Sequence, residues 1–403
     1  MRCCIVGGGI IGLATGRLLT VAESSTEVIV LEKERRVAAH QSSHNSGVVH
    51  AGLYYEPGSL KAKLCVRGRE LLHAYCAERG IAYQECGKVL IATDEREHAR
   101  LQHVYRRALA NGVKGVQMLT ESGLHELEPH ARGIAALHSP KTAIVSYEDV
   151  ARSLAAETAR GGGQVRCGAE VMRVSGGRRP AVQLADGQTI AADFVIVCAG
   201  LHSDRLAARS GQQPTPKILP FRGEYWALRR ERSHLVKGLV YPVPDPRLPF
   251  LGVHFTKRLD GSVLVGPNAV LALAREGYQR GASEVAQLQE LALYTGAWRL
   301  LARHWRSAAI ELARAASPRL LTSEARRMLP ELRLSDLIPA GTGVRAQAVD
   351  ADGTLVEDFR LSTDGSVVWV RNAPSPAATS SLAIAEVLVE RLRTLSPASP
   401  GAG

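Results

Sequence analysis

Gly7, Gly9 and Gly12 hold a G-x-G-x-x-G spacing, and Glu32 follows about twenty residues after the third glycine. These residue types do chemistry through close approach. The first glycine makes a tight turn, the second lets backbone reach a pyrophosphate, and the third lets a helix pack against a strand. The helix that starts there offers unpaired N–H groups and a partial positive charge to phosphate, and the acid is placed to hold a ribose hydroxyl. The pattern predicts a bound dinucleotide. Farther on, His44, Asn45, Ser46, Gly47 and His50 crowd a loop of small polar residues, the kind that lies along a cofactor. In FLGVHFT, alternation puts Leu251, Val253 and Phe255 on one strand face and Gly252, His254 and Thr256 on the other. His254 there suits proton exchange near neutral pH, with a hydrogen-bonded strand histidine as the alternative reading; His50 is the second candidate base. Arg345 and Arg222 carry planar guanidinium groups that bind carboxylate at two points, or else serve as ordinary surface charges.

The elements that must position these residues are legible in part. An apolar strand from Cys3 to Val6 enters the glycine turn, a helix runs to Thr20, and VIVL forms a second strand ending at Glu32. A helix begins near Ser59. Lys88 to Thr93 reads as a strand, Glu95 to Asn111 as a charged helix, and ESGLHELEP as turn-rich sequence. Helix pattern returns from Ser146 to Arg160, followed by alternating strands with a hairpin turn at Asp186–Gly187. The proline-rich stretch Gln212 to Pro220 marks a domain crossing, and KRLDGSVLVGP turns at Asp260–Gly261. One or two helices span Gln287 to Arg314. Trp298, Leu301, Ala302, Trp305, Ala308, Ala309 and Leu312 fall on one side, with Arg299, Arg303, Arg306 and Arg314 on another. Such a helix either packs on its own domain with a solvated basic face or docks on a membrane surface or electron acceptor. A final helix is expected with Ser375 as N-cap and Pro376 as its first residue, followed by a disordered tail over 396–403.

Composition narrows the class. At 403 residues, 45% hydrophobic and 22% charged, the chain suits a two-domain enzyme. No run reaches the length of a membrane span, and the N-terminus enters the first strand at once, so neither a signal peptide nor a transmembrane anchor is expected. Seven scattered cysteines without C-x-x-C spacing favour reduced thiols and a cytoplasmic setting. The net charge of +11 is spread over dispersed arginines, and 5% aromatic content leaves no base-stacking platform. Nucleic acid is therefore not expected; an anionic small molecule is, with the inner face of the cytoplasmic membrane as a further surface.

The string SSHNSGVVHAGLYY, then SLKAKLC, PFRGEYW, PFLGVHFTKRLDGSVLVGPNAVLA, GVRAQAV and NAPSPAATSSLAI resemble the L-2-hydroxyglutarate dehydrogenase/oxidase family of FAD-dependent enzymes, within the D-amino-acid oxidase superfamily. The resemblance covers residues 1 to about 392. It implies an α/β fold: a discontinuous Rossmann-like FAD-binding domain over 1–80, 143–214 and 336–395, and a substrate domain of mostly antiparallel sheet plus helices over 81–142 and 215–335. Asp193 to Gly200 looks like the second glycine-terminated strand of flavoproteins, which selects FAD over NAD. Noncovalent FAD is implied, held by Gly7, Gly9, Ile10, Ile11, Gly12, Glu32, Lys33, Ser42, Ser43, His44, Asn45, Ser46, Gly47, Val171, Ala199, Gly200, Arg345 and the run Asn372, Ala373, Pro374, Ser375, Pro376, Ala377.

The implied reaction is oxidation of L-2-hydroxyglutarate to 2-oxoglutarate, with electrons passing to a quinone-type acceptor or oxygen. His254 is the expected base, Arg345 and Arg222 clamp carboxylate, and Tyr54 and Lys61 assist at the second carboxylate. No metal is expected. A flavin-dependent amino-acid oxidase, a glycerol-3-phosphate dehydrogenase, and a non-catalytic flavin-binding redox sensor are the rival readings.

Overall fold

A computed structural model describes residues 1–22, 25–246, 251–266, 268–279 and 281–395. The chain forms two compact units. One comprises Met1–Ser43, Tyr147–Ile218 and the chain from Ala346; the other comprises His44–Ser146 and Leu219–Arg345.

The first unit is built on a sheet whose strands run in the order Arg360–Asp364, Val367–Asn372, Phe194–Val197, Arg2–Val6, Glu27–Glu32, Gln164–Cys167. All neighbours are parallel except the first pair. A parallel sheet must be covered on both faces, and the sequence meets that demand with continuous apolar strands. Cys4, Val6, Ile29 and Leu31 pack toward Val174, Val182 and Leu184 of a small three-stranded antiparallel sheet. The Ile10–Ala22 helix packs with Tyr147–Arg160 and Ser381–Leu395. Gly16 permits its close approach, since a Cβ there would lie 3.0 Å from Val30 Cγ2.

The second unit is organised by a mixed, mostly antiparallel sheet of nine strands among the described residues, with Val270–Leu271 and Gln117–Thr120 at its ends. At its centre Leu239–Pro242 runs parallel to Lys88–Ala92 and antiparallel to His254–Lys257. Lys88–Ala92 is buried along its whole length between two cores: Val89 and Ile91 enter one, Leu90 and Ala92 the other. Val253 and Phe255 join the first core as expected, whereas Leu251, ahead of the His254–Lys257 strand, packs against the second, so the expected single face does not extend to it. The Asp260–Gly261 turn forms as expected, with Gly261 at φ +79° and the Asp260 carboxylate accepting from Ser262 N–H at 3.0 Å.

Several elements differ from expectation. Residues His44 to Gly80, expected with the nucleotide-binding segment, fall in the second unit. The ESGLHEL stretch is a helix, Glu121–Leu127, because the Thr120 hydroxyl accepts the Gly123 N–H at 3.3 Å and so caps it. The final helix starts at Ser381, not Pro376; Ser375 to Ser380 form turns, with Ser380 N–H bonded to Pro376 O at 3.0 Å. The basic helix, Thr295–Ala316, breaks regular geometry at His304. It buries Gly296 and Leu300, while Trp298 and Trp305 stay 59% and 58% exposed, so the side bearing the tryptophans is not its packing side. Arg314, expected on a solvated face, turns inward to Glu311 and Glu324 at 2.5 and 2.7 Å. The tail expected over 396–403 lies outside the described residues.

Candidate functional site

In the first unit the glycine turn is sterically committed. Gly7 sits at φ +107°, and a Cβ on it would meet the Cys198 carbonyl oxygen at 2.3 Å. A Cβ on Gly12 would meet the Gly7 carbonyl oxygen at 2.1 Å. Both distances are far inside contact range, so only glycine lets the Ile10–Ala22 helix begin against the Arg2–Val6 strand. Ser42 Oγ accepts the Ile10 N–H at 2.9 Å and stands 3.3 Å from where a Gly9 Cβ would be; Ile10 begins the helix and Ile11 follows in its first turn. Ser43 turns back to the His40 carbonyl.

Glu32 does more than end a strand. Its carboxylate accepts Gly8 N–H at 2.7 Å and Glu34 N–H at 2.9 Å, fixing both sides of the turn, while Lys33 pairs with Glu34. Ala199 and Gly200, the latter at φ +51°, follow the Phe194–Val197 strand beside this turn, and Val171 is buried in the sheet layer below. Asn372 donates to the carbonyls of Val356 and Asp358, while its buried Oδ1 has no partner; the same holds for the hydroxyls of Ser380 and Ser381. Ala373 to Ala377 form the turn ahead of the last helix, closed by Ala377 N–H on Pro374 O. A cradle without room for side chains, a helix N-terminus and orphaned buried acceptors fit FAD.

The second unit holds a separate polar cluster. His254 is 4% exposed, its ring stacked on Tyr241 at 4.1 Å. Its Nδ1 lies 2.8 Å from the Gly252 carbonyl; a carbonyl only accepts, so Nδ1 carries the proton and Nε2 is the acceptor nitrogen. Burial, reinforced by Arg345 and Lys88 and opposed by the Gly252 contact, pushes its pKa down to about 3. His50 shifts the same way, first through burial and then through Lys88, His254, Arg345 and Lys61. Both imidazoles are neutral at neutral pH. Tyr54 accepts from Lys88 Nζ at 3.2 Å, and burial raises the phenol pKa, keeping it protonated. Arg345 hydrogen-bonds Tyr225. Lys61 lies 5.4 Å above the Tyr55 ring.

Other expected residues are positioned by backbone geometry. Gly47, at φ +74°, passes so close to the Val145 carbonyl that a Cβ would lie 2.8 Å away, and the Asn45 side chain accepts its N–H across Ser46. Gly343 makes a similar approach to the His44 carbonyl, at 2.7 Å, while the His44 ring packs on Tyr278. Arg222 goes elsewhere: its guanidinium donates to Gln279 O at 3.0 Å and pairs with Glu224 at 3.2 Å. These contacts engage its two terminal nitrogens, while its buried Nε has no partner. Sequence reading missed Lys88, Tyr225 and Tyr241. Lys88 carried a signal, as one lysine opening the otherwise apolar strand KVLIA; the tyrosines did not, since strand tyrosines are ordinary.

A family model described as FAD dependent oxidoreductase matches residues 2–391. The human mitochondrial L-2-hydroxyglutarate dehydrogenase is 42% identical over 406 residues, covering 96% of this chain and 88% of that protein. The L-2-hydroxyglutarate dehydrogenase of Indibacter alkaliphilus is 43% identical over 387 residues, covering 96% and 97%. Among solved structures, an FAD-bound L-alpha-glycerophosphate oxidase from Mycoplasma pneumoniae superposes with TM-score 0.80 at 24% identity, over 97% of this chain and 94% of that one. At that identity the likeness speaks to fold alone. The glycine cradle, the parallel sheet and the whole-chain similarity agree: this chain belongs to the FAD-dependent oxidoreductase family and, within it, to the L-2-hydroxyglutarate dehydrogenases.

Proposed function

We propose that this protein oxidises L-2-hydroxyglutarate to 2-oxoglutarate. The observation that carries the reading is the second unit's cluster: a neutral histidine with Nε2 as acceptor, under the influence of Arg345 and Lys88. The relatives' names supply the substrate, a 2-hydroxy acid with two carboxylates. FAD, when bound, accepts the hydride equivalent from C2. His254 Nε2 takes the hydroxyl proton, and its Nδ1–H stays on Gly252 O, so the ring cannot rotate away from its task. Arg345, oriented by Tyr225, binds the carboxylate next to C2. Two negative charges entering beside Arg345 and Lys88 oppose the cationic influence that lowers the His254 pKa, so substrate binding itself strengthens the base. Anaerobic addition of L-2-hydroxyglutarate should bleach the flavin. Bleaching by an amino acid or glycerol 3-phosphate, and none by L-2-hydroxyglutarate, would overturn the reading.

Electrons leave to a quinone-type acceptor at an anionic membrane surface, on this reading, or to oxygen. Support comes from the Thr295–Ala316 helix, where exposed Trp298, Leu301, Trp305 and Leu312 share the surface with exposed Arg299, Arg303 and Arg306. Apolar aromatic and cationic side chains together suit the headgroup region. Among the described residues no helix is long and apolar enough to cross a membrane.

A further inference from the structure

Lys88 opens the central buried strand of the second unit and is 2% exposed. Its Nζ donates to Tyr54 OH at 3.2 Å, sits 4.1 Å from the Tyr241 ring centroid and 5.7 Å from that of Tyr54. Among the described residues no carboxylate pairs with it. A buried ammonium normally needs a counter-anion, because desolvation costs several kcal/mol and ring faces repay only part of that. Hydrophobic alternatives were available at this position, where Leu90 and Ala92 on the same strand face pack into an apolar core. Among the described residues the ammonium is thus met by one phenol and two ring faces alone.

We propose that Lys88, with the Tyr54 hydroxyl, receives the side-chain carboxylate of the substrate and sets the preference for a dicarboxylate over a simple 2-hydroxy acid. The inference rests on the 2-hydroxy dicarboxylate reading above. Tyr54, having accepted from Lys88, keeps its own proton to donate, so one carboxylate meets an ammonium and a phenol as two adjacent donors. Arg345 is left for the carboxylate beside C2. The division assigns one cation to each end of the substrate, and Lys88 reads chain length and charge away from the reacting carbon.

The test is Lys88→Met in the FAD-loaded enzyme. Two readouts are taken: the ratio of kcat/KM for L-2-hydroxyglutarate to that for L-2-hydroxybutyrate, and the binding of glutarate followed by the flavin absorbance change. Removing one partner of a buried charge pair should lower the ratio and weaken glutarate by at least about 30-fold. The loss should appear in KM and fall more heavily on the dicarboxylate than on the monocarboxylate. Tyr54→Phe leaves the buried charge in place and should lower the same ratio by about 10-fold, which keeps the proposal testable if Lys88→Met does not fold. An unchanged ratio in either folded variant, or equal losses for both substrates, overturns it. If L-2-hydroxyglutarate fails to reduce the wild-type flavin, the substrate reading fails; if it reduces the wild type and Lys88→Met binds glutarate normally, only the Lys88 inference fails.

Discussion

Replacing Gly12 by alanine tests the cofactor cradle most sharply. The added methyl group would lie 2.1 Å from the Gly7 carbonyl oxygen and 3.3 Å from Ile5 Cγ2. Carbon and oxygen do not pack closer than roughly 3.2 Å, so the helix start and the turn must separate by about 1 Å. Neither side is the free end of a flexible side chain; both are backbone, and Gly7 is itself confined by the Cys198 carbonyl, whose oxygen a Cβ on it would meet at 2.3 Å. Overpacking of this kind costs about 1–3 kcal/mol, and here the strain falls on the N–H groups that meet the pyrophosphate. Affinity for FAD should drop about 5- to 150-fold. Gly123→Ala is the control: it lies in the Glu121–Leu127 helix, its nearest contact would be an ordinary 3.6 Å, and it should be neutral or slightly stabilising. The assay is flavin-fluorescence titration of the apoprotein at matched melting temperature. Unaltered FAD affinity in Gly12→Ala would refute the assignment of the cradle.

Replacing His254 by alanine should slow anaerobic flavin reduction by about 10²–10⁴-fold with FAD still bound, read by stopped-flow absorbance; an unchanged rate would retire it as the base. Its low pKa also has a sign for stability. Folded His254 binds its proton only near pH 3, whereas the unfolded chain binds one near 6.5, so the unfolded state holds more protons between those values and stability falls as pH falls. The contribution is up to about 1.4 kcal/mol per pH unit, levelling off below about pH 3. Urea unfolding between pH 7.5 and 5 should show a shallower pH dependence in His254→Asn than in wild type, and identical slopes would contradict the buried neutral ring. Co-sedimentation with anionic vesicles should weaken in Trp298→Ser/Trp305→Ser and in high salt, and vanish with neutral lipid; wild-type protein that stays in the supernatant would remove the membrane reading.

What was legible in the sequence followed from local rules with strong geometry. The glycine turn, the apolar strands flanking it, the Ser59-capped helix and both Asp–Gly hairpins depend on residues near one another in the chain, and each formed. The last helix was misplaced because serine followed by proline is a fair helix start, yet the stretch after it closes as turns and the helix waits for Ser381. The Thr295–Ala316 helix shows the limit of amphipathic pattern. Periodicity found the tryptophan stripe but could not say whether that stripe or the one through Leu300 would meet the protein. At the substrate cluster, alternation found His254, while Lys88 and Tyr241 became visible only when their strands paired in register. Long-range pairing carries information that a window of sequence does not.

The central claim is tested most directly by titrating the oxidised, FAD-loaded protein with L-2-hydroxyglutarate under anaerobic conditions. The flavin band should bleach with one equivalent of substrate and yield one equivalent of 2-oxoglutarate. An unbleached flavin, or bleaching without 2-oxoglutarate, would contradict the account.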